Sequence, residues 1–323
     1  MIAPKLKKGD EIRIIAPSRS MQILSKEGIQ EAIERLEEMG LLVTFGEHVY
    51  DSDLHFSSSI QARVKDLHAA FADSNVKGIL TVIGGFNVNE ILPYINYQLI
   101  KTNPKILCGY SDITALAWAI TAKTGLVTYS GPHFSSFGMR KEQDYQRTFF
   151  KKCLMQDEAY EIEQSIVWSD DAWYRDQDNR NLIPNEGLKI YNGGLTNGTL
   201  YGGNLCTLNL LQGTEFMPDL KDVILFIEDD ELTDPLTFAR DFTSLLQQVK
   251  LVNLKGLVIG KFQNKSQVTD EHLHFIFDKH PILKSIPVMY NASFGHIQPM
   301  FTFPIGGLVE IDTNNKSIKI IEH

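Results

Sequence analysis

Cysteine is scarce in this 323-residue chain: Cys108, Cys153 and Cys206 are all it has, and none forms a C-x-x-C pair. An odd count without paired spacing argues against a disulfide framework and a structural zinc site, and it fits the reducing cytoplasm. Long apolar runs are missing too. The best stretch, ALAWAITA, is interrupted by Thr121 and falls well short of the roughly 20 residues a spanning helix needs. The basic amino terminus offers only IRIIAP, broken by Arg13, so no secretory signal is expected. Positive charge is in deficit, with 31 Lys and Arg against 40 Asp and Glu and a net charge of −9. Such a field repels polyanions, so a nucleic acid polymer is not an expected partner, and with no visible spanning or lipid-anchor motif neither is a membrane.

Nucleotide and metal fingerprints are absent as well. EIRIIAPSRS is not followed by G-x-G-x-x-G, Gly84-Gly85 is not followed by a P-loop lysine, and no H-E-x-x-H occurs. His272 and His274 sit two apart on a predicted helix and do not share a face, which makes them a poor metal pair. These absences discount a nicotinamide or flavin enzyme and a histidine-pair metal site. No repeat period marks a solenoid.

What is present is the composition of a folded soluble protein, 43% hydrophobic and 22% charged. The length suits about two domains of roughly 150 residues each. In the first half, short β-branched runs alternate with helical periodicity: EIRIIAP, a helix around Glu27 to Met39, LLVTFG, a helix around Ile60 to Ala72, then KGILTVIGG. Asn89 to Ile95 reads as helical, KILCGY as a strand, Ile113 to Lys123 as an Ala-rich helix and LVTYSG as a strand. Strands separated by helix-length segments predict an open parallel α/β sheet. From about Arg140 to Gly198 the pattern fades into a polar stretch, read as a linker or working loop. The signals return in GGNLCTLNLL, VILFIEDD, a helix from Pro235 to about Val249, GLVIGKF, a helix near Glu271 to Lys279, PVMYNASFGH and FTFPIGGLVEID. The expected architecture is an amino-terminal α/β domain over residues 1–140, a linker and substrate loop over 141–198, and a smaller α/β domain over 199–323, with the site in the cleft between the domains.

In open α/β sheets, ligands collect beyond the carboxyl ends of the strands. Four strand ends stand out: Gly84-Gly85-Phe86-Asn87, Gly109-Tyr110-Ser111-Asp112, Glu228-Asp229-Asp230-Glu231 and Phe294-Gly295-His296. Ser111 lies where a strand meets a helix, the setting of a nucleophile elbow, although Ile113 stands where G-x-S-x-G requires a small residue. The plainer role for Ser111 or Asp112 is helix N-capping. Gly84-Gly85 lets backbone amides approach a developing negative charge, or is a tight turn. The EDDE run could orient a histidine, hold a divalent cation, or be a solvated loop. His296 follows a strand and the flexible Gly295, with His133 as a competing base; a capping or surface role is the plain alternative. Ser111, Glu228 and His296 together supply a nucleophile, an orienting carboxylate and a general base, in the chain order of α/β-hydrolases.

With those residues in place, the sequence resembles the LD-carboxypeptidase family of serine peptidases, and within it the microcin C immunity clade. The resemblance runs through GDEIRIIAPSRS, IGGFNVNEILPYINY, NPKILCGYSDITAL, WSDDAWYRDQ, GGNLCTLNLLQGTEFMPDL, ILFIEDDEL and FGHIQPMFTFPIG, covering nearly the whole chain. It implies Ser111 as nucleophile, Glu228 and His296 as its partners, and backbone N–H groups near Gly85 and Asp112 as the oxyanion hole. It further implies a cytoplasmic homodimer without metal or cofactor. The substrate it implies is a peptidyl- or aminoacyl-nucleotide, or alternatively a murein tetrapeptide that loses its terminal D-alanine. Trp168 and Trp173, with Tyr174, resemble the aromatic loop that holds the nucleotide; core or interdomain packing is their plain role. A metal-dependent hydrolase using EDDE and a non-enzymatic ligand-binding protein remain the rival classes.

Overall fold

The computed structural model describes residues 1–323. Five parallel strands, β1 (Glu11–Ile15), β2 (Leu42–Phe45), β3 (Val76–Thr81), β4 (Ile106–Cys108) and β5 (Thr128–Ser130), form the amino-terminal sheet in the order β5-β4-β3-β1-β2. The crossovers carry α1 (Lys26–Glu38), α2 (Ile60–Ala72), α3 (Tyr97–Thr102) and α4 (Ile113–Thr124). Ser25 and Ser59 start α1 and α2 by accepting the N–H of Gly28 and Ala62, so local capping fixes where these crossovers begin.

The segment expected to be a linker is more regular than its polarity suggests. It contains α5 (Gln143–Met155), β6 (Tyr160–Glu161), a ribbon of β7 (Val167–Trp168) with β8 (Ile183–Pro184), and β9 (Lys189–Asn192). Then follow β10 (Leu195–Asn204), α6 (Leu205–Asn209), β11 (Leu220–Lys221), β12 (Val223–Glu228), α7 (Pro235–Leu246), β13 (Leu251–Val252), β14 (Gly256–Gly260), α8 (Asp270–Asp278), β15 (Val288–Ala292), β16 (Phe303–Ile305), β17 (Leu308–Asp312) and β18 (Ser317–Glu322). An eight-stranded sheet runs β6-β18-β17-β10-β12-β14-β15-β9, parallel across β10-β12-β14-β15 and antiparallel at its flanks.

Two elements join the halves. FTFPIGGLVEID holds two strands: β16 pairs antiparallel with β5 in the first sheet, and β17 pairs with β10 in the second. Gly306, at φ 90°, makes the break between them. The other link is α4, which has no polar face before Lys123 in its last turn and is buried along ten of its twelve residues, as expected of a helix enclosed by its surroundings. Its Trp118 donates Nε1–H to the carbonyl of Gly202 in β10, 2.8 Å away. Gly203 has no room for a side chain, since a Cβ there would lie 2.5 Å from Thr114 Oγ1. The helix that follows Ser111 is thereby pressed onto the sheet that carries Glu228.

Candidate functional site

Ser111 sits in the turn between β4 and α4 at φ 60°, a left-handed conformation that strains a residue with a Cβ. Small residues make room for it. A Cβ on Gly84 would come 2.9 Å from Ser111 Cβ, and one on Gly109 would come 2.4 Å from Thr81 Oγ1. Ile113, where the hydrolase pattern asks for a small residue, is fully buried beneath the turn. Neither Ser111 nor Asp112 caps α4 with its side chain: the N-cap residue is Asp112, and its carboxylate is committed elsewhere.

Glu228 closes β12 and is buried, and His296 follows β15 through Gly295 at φ 109°. A Cβ at Gly295 would press to 2.9 Å from Glu228 Cβ, so glycine lets the histidine close over the carboxylate. His296 Nδ1 lies 2.7 Å from Glu228 Oε2, and His296 Nε2 lies 2.9 Å from Ser111 Oγ. Burial alone would disfavour the imidazolium. The Glu228 charge and hydrogen bond, with Asp230 and Asp229 behind, outweigh it and hold His296 at about 9.

The remaining carboxylates of the acidic run diverge. Asp229 Oδ1 accepts from Asn204 Nδ2 at 3.1 Å, Asp230 accepts the Leu232 N–H at 2.8 Å, and Glu231 pairs with Lys265 at 2.9 Å. No group of three or more His, Cys, Asp or Glu is arranged to hold a metal ion. Burial and the neighbouring Glu228 push Asp229 up to about 7.

His133 does not reach the serine. Its Nδ1 lies 2.8 Å from Thr81 Oγ1, its buried Nε2 has no partner, and its ring lies tilted against Tyr110 with centroids 4.3 Å apart. Burial, with His296 nearby, holds it down at about 3, so it is neutral.

The N–H groups of Gly85 and Asp112 make no hydrogen bond within the protein. What orients them is the Asp112 side chain. Its Oδ2 accepts the N–H groups of Asn87 and Val88, both at 3.0 Å, and the Ser18 hydroxyl at 2.5 Å, tying the glycine loop, the end of β1 and the serine turn together. Burial raises the Asp112 carboxyl against these stabilising bonds. Residue spacing gave no sign of this anchor, although Ser18 follows a strand and lay within reach of the strand-end rule.

A cleft of about 400 Å³ opens beside His296 and Tyr110, walled by Trp173, Tyr174 and Met300. Trp168, expected with Trp173, is not in it. Its ring covers the Lys261 ammonium at 4.8 Å in a neighbouring hollow of about 230 Å³. The antiparallel β7–β8 pairing holds Trp168 there, while Trp173 lies in the intervening loop. Arg180 fixes that loop by donating Nε–H to Asp171 at 2.7 Å.

Comparison with known proteins agrees across the chain. The model of the LD-carboxypeptidase N-terminal domain matches residues 12–131, and that of the LD-carboxypeptidase C-terminal domain matches residues 197–311. YocD of Bacillus subtilis (strain 168) is 50% identical over 99% of this chain and 98% of its own. A second protein of that organism, named as a probable murein peptide carboxypeptidase, is 31% identical over 98% of this chain and 92% of its own. The crystal structure of an MccF-like protein from Bacillus anthracis str. Ames superposes with a TM-score of 0.98 at 52% identity, covering 100% of both chains. The microcin C7 self-immunity protein MccF in complex with aspartyl sulfamoyl adenosine gives a TM-score of 0.89 at 31% identity, covering 100% of this chain and 99% of its own.

Proposed function

The chain belongs to the LD-carboxypeptidase family, and we propose on that premise that it hydrolyses an amide through an acyl-enzyme formed on Ser111. The observation that carries this reading is the run of two hydrogen bonds from Ser111 Oγ to His296 Nε2 and from His296 Nδ1 to Glu228 Oε2, at 2.9 and 2.7 Å. A serine hydroxyl is a weak nucleophile and needs a base within hydrogen-bond reach. Ser111 Oγ attacks the carbonyl carbon while His296 Nε2 takes its proton, and Glu228 holds the other ring nitrogen and steadies the imidazolium. The carbonyl oxygen gains negative charge and is met by the Gly85 and Asp112 N–H groups, each a contribution of about 10² to 10³ in rate. His296 then protonates the departing nitrogen, and water, activated by the same imidazole, releases the acyl group.

The substrate we infer is a peptidyl- or aminoacyl-nucleotide, with Trp173 and Tyr174 as the aromatic wall for the nucleoside. The cleft's aromatic lining and the likeness to MccF bound to aspartyl sulfamoyl adenosine support it. A murein tetrapeptide ending in D-alanine is the second reading, favoured by the relative named for murein peptides. The family resemblance also supports a cytoplasmic homodimer that works without metal or cofactor. Incubating the wild type and Ser111→Ala with both substrate types, and following products by mass spectrometry, tests the reading. Product from the wild type alone is expected, and equal product from both proteins would overturn it.

A further inference from the structure

The cleft contains one arginine and no lysine: Arg19, two positions before Met21 and directly after the serine that Asp112 holds. Its stem lies against the glycine loop, where a Cβ on Gly85 would come 2.3 Å from Ser18 Oγ and 3.0 Å from Arg19 Cγ. Its guanidinium sits 5.3 Å from the ring centroid of Phe86, which is itself 67% exposed. An exposed phenylalanine under a guanidinium contributes nothing to the core, but it does hold the cation in place at the rim.

The charges around it differ in one respect. Each carboxylate of the cleft has a partner: Asp170 accepts the Asn264 N–H at 2.6 Å, Asp171 pairs with Arg180 at 2.7 Å, Asp230 accepts the Leu232 N–H at 2.8 Å, and Glu231 pairs with Lys265 at 2.9 Å. Arg19 forms no salt bridge, and its side chain donates no hydrogen bond within the protein. Its five donors form a planar fork suited to two oxygens of one anion.

We propose that Arg19 is the specificity-determining receptor for an anionic group on the leaving side of the scissile amide. The assignment rests on the acyl-enzyme reading above and deepens it. The amide's carbonyl oxygen must lie at Gly85 while Ser111 attacks, and the Arg19 stem packs against that same glycine, so a negative group a bond or two beyond the scissile nitrogen falls within reach of the fork. Two compound classes carry such a group. In a peptide it is the terminal carboxylate, and in an acyl-sulfamoyl or acyl-phosphoramidate nucleotide it is the charge spread over the sulfonyl or phosphoryl oxygens. The shared requirement is an anion beside the amide that is cut.

The test is calorimetry on Ser111→Ala protein, with and without Arg19→Ala or Arg19→Lys. Three probes are used: a murein-type tetrapeptide with a free terminal carboxylate, the same peptide as its carboxamide, and aspartyl sulfamoyl adenosine. At least one anionic probe should bind about 10- to 100-fold more weakly after Arg19→Ala, the range a charge-assisted hydrogen bond supports. Arg19→Lys should recover part of that loss. The preference for carboxylate over carboxamide should collapse toward parity if the peptide is the source, whereas a loss confined to the sulfamoyl probe identifies the nucleotide. Losses under threefold for both anions, an equal loss for the carboxamide, or no binding of any anion with Arg19 in place would overturn the proposal. Turnover by protein that retains Ser111 separates the two claims: hydrolysis undiminished by Arg19→Ala yet abolished by Ser111→Ala removes Arg19 and leaves the acyl-enzyme reading standing.

Discussion

Ser18 and Asp112 stand 94 residues apart in sequence and share a hydrogen bond of 2.5 Å that ties the end of β1 to the turn carrying Ser111. The same carboxylate oxygen holds the Asn87 and Val88 amides, so one side chain sets the distance between the glycine loop and the serine. Asp112→Asn keeps the size and loses the charge, which weakens all three bonds at once. Turnover should fall about 10- to 100-fold, less than the loss of an oxyanion donor, with KM changing little. Steady-state kinetics decide it. A change confined to KM would mean that the staple does not align the reacting groups.

Ser111→Ala should remove turnover by roughly 10⁴ to 10⁶ while the protein stays folded, because the residue lies on a turn and its loss opens no core cavity. Circular dichroism and rate measurements on a confirmed substrate check both halves. Chelator should leave the wild-type rate unchanged. A strong loss with EDTA, restored by a divalent cation, would favour the metal-dependent class.

The base form of His296 is the minor one below about pH 9, so kcat/KM should rise with pH toward that value. Asp229 helps to hold His296 up, and Asp229→Asn should therefore move the rising limb to lower pH. The stability effect has its own sign. The Asp229 carboxyl is raised from 3.8 to about 7 in the fold, so its contribution is complete below the unfolded value and is lost as pH rises through the folded one. Asp229→Asn should accordingly raise the melting temperature relative to wild type more at pH 9 than at pH 5, by the equivalent of a few kcal/mol, at about 1.4 kcal/mol per pH unit. Parallel melting curves at the two pH values would contradict this.

Trp173 lines the cleft and Trp168 does not. In a Ser111→Ala background, Trp173→Ala should weaken aspartyl sulfamoyl adenosine binding by about 1 to 3 kcal/mol, the range of base stacking on an aromatic side chain. It should barely change the affinity for a murein tetrapeptide, which has no base. Trp168→Ala should cost less for the nucleotide than Trp173→Ala. Equal losses for peptide and nucleotide would make Trp173 a packing residue of the loop.

Much of the scaffold can be read from one-dimensional pattern. β-branched runs spaced by helix-length segments give the parallel strands, because alternation and 3.6-residue periodicity are local properties of neighbouring residues. Residues at the strand ends were legible for the same reason, and Ser111, Glu228 and His296 all lie there. The pattern of α5 was present too, in Gln146, Phe149, Phe150, Cys153 and Leu154, which form its buried side. The Asp-rich and Asn-rich stretch that follows concealed it. The break in FTFPIGG was less visible, because a chain that continues as strand on both sides of a glycine pair gives no local sign that it has changed sheets.

Tertiary structure alone decided which candidates meet. Ser111 and His296 are 185 residues apart, and His296 and Glu228 are 68 apart, distances over which sequence pattern carries no geometry. The pressing of α4 onto β10 brings the two strand ends together, while His133 is bonded to Thr81 within the first sheet. It is likewise the fold that parts Trp168 from Trp173, although only four residues stand between them. Composition and periodicity determine which elements form, since those depend on neighbours along the chain. Which side chains share a hydrogen bond depends on how buried surfaces close on one another, and that is settled only when the two sheets pack.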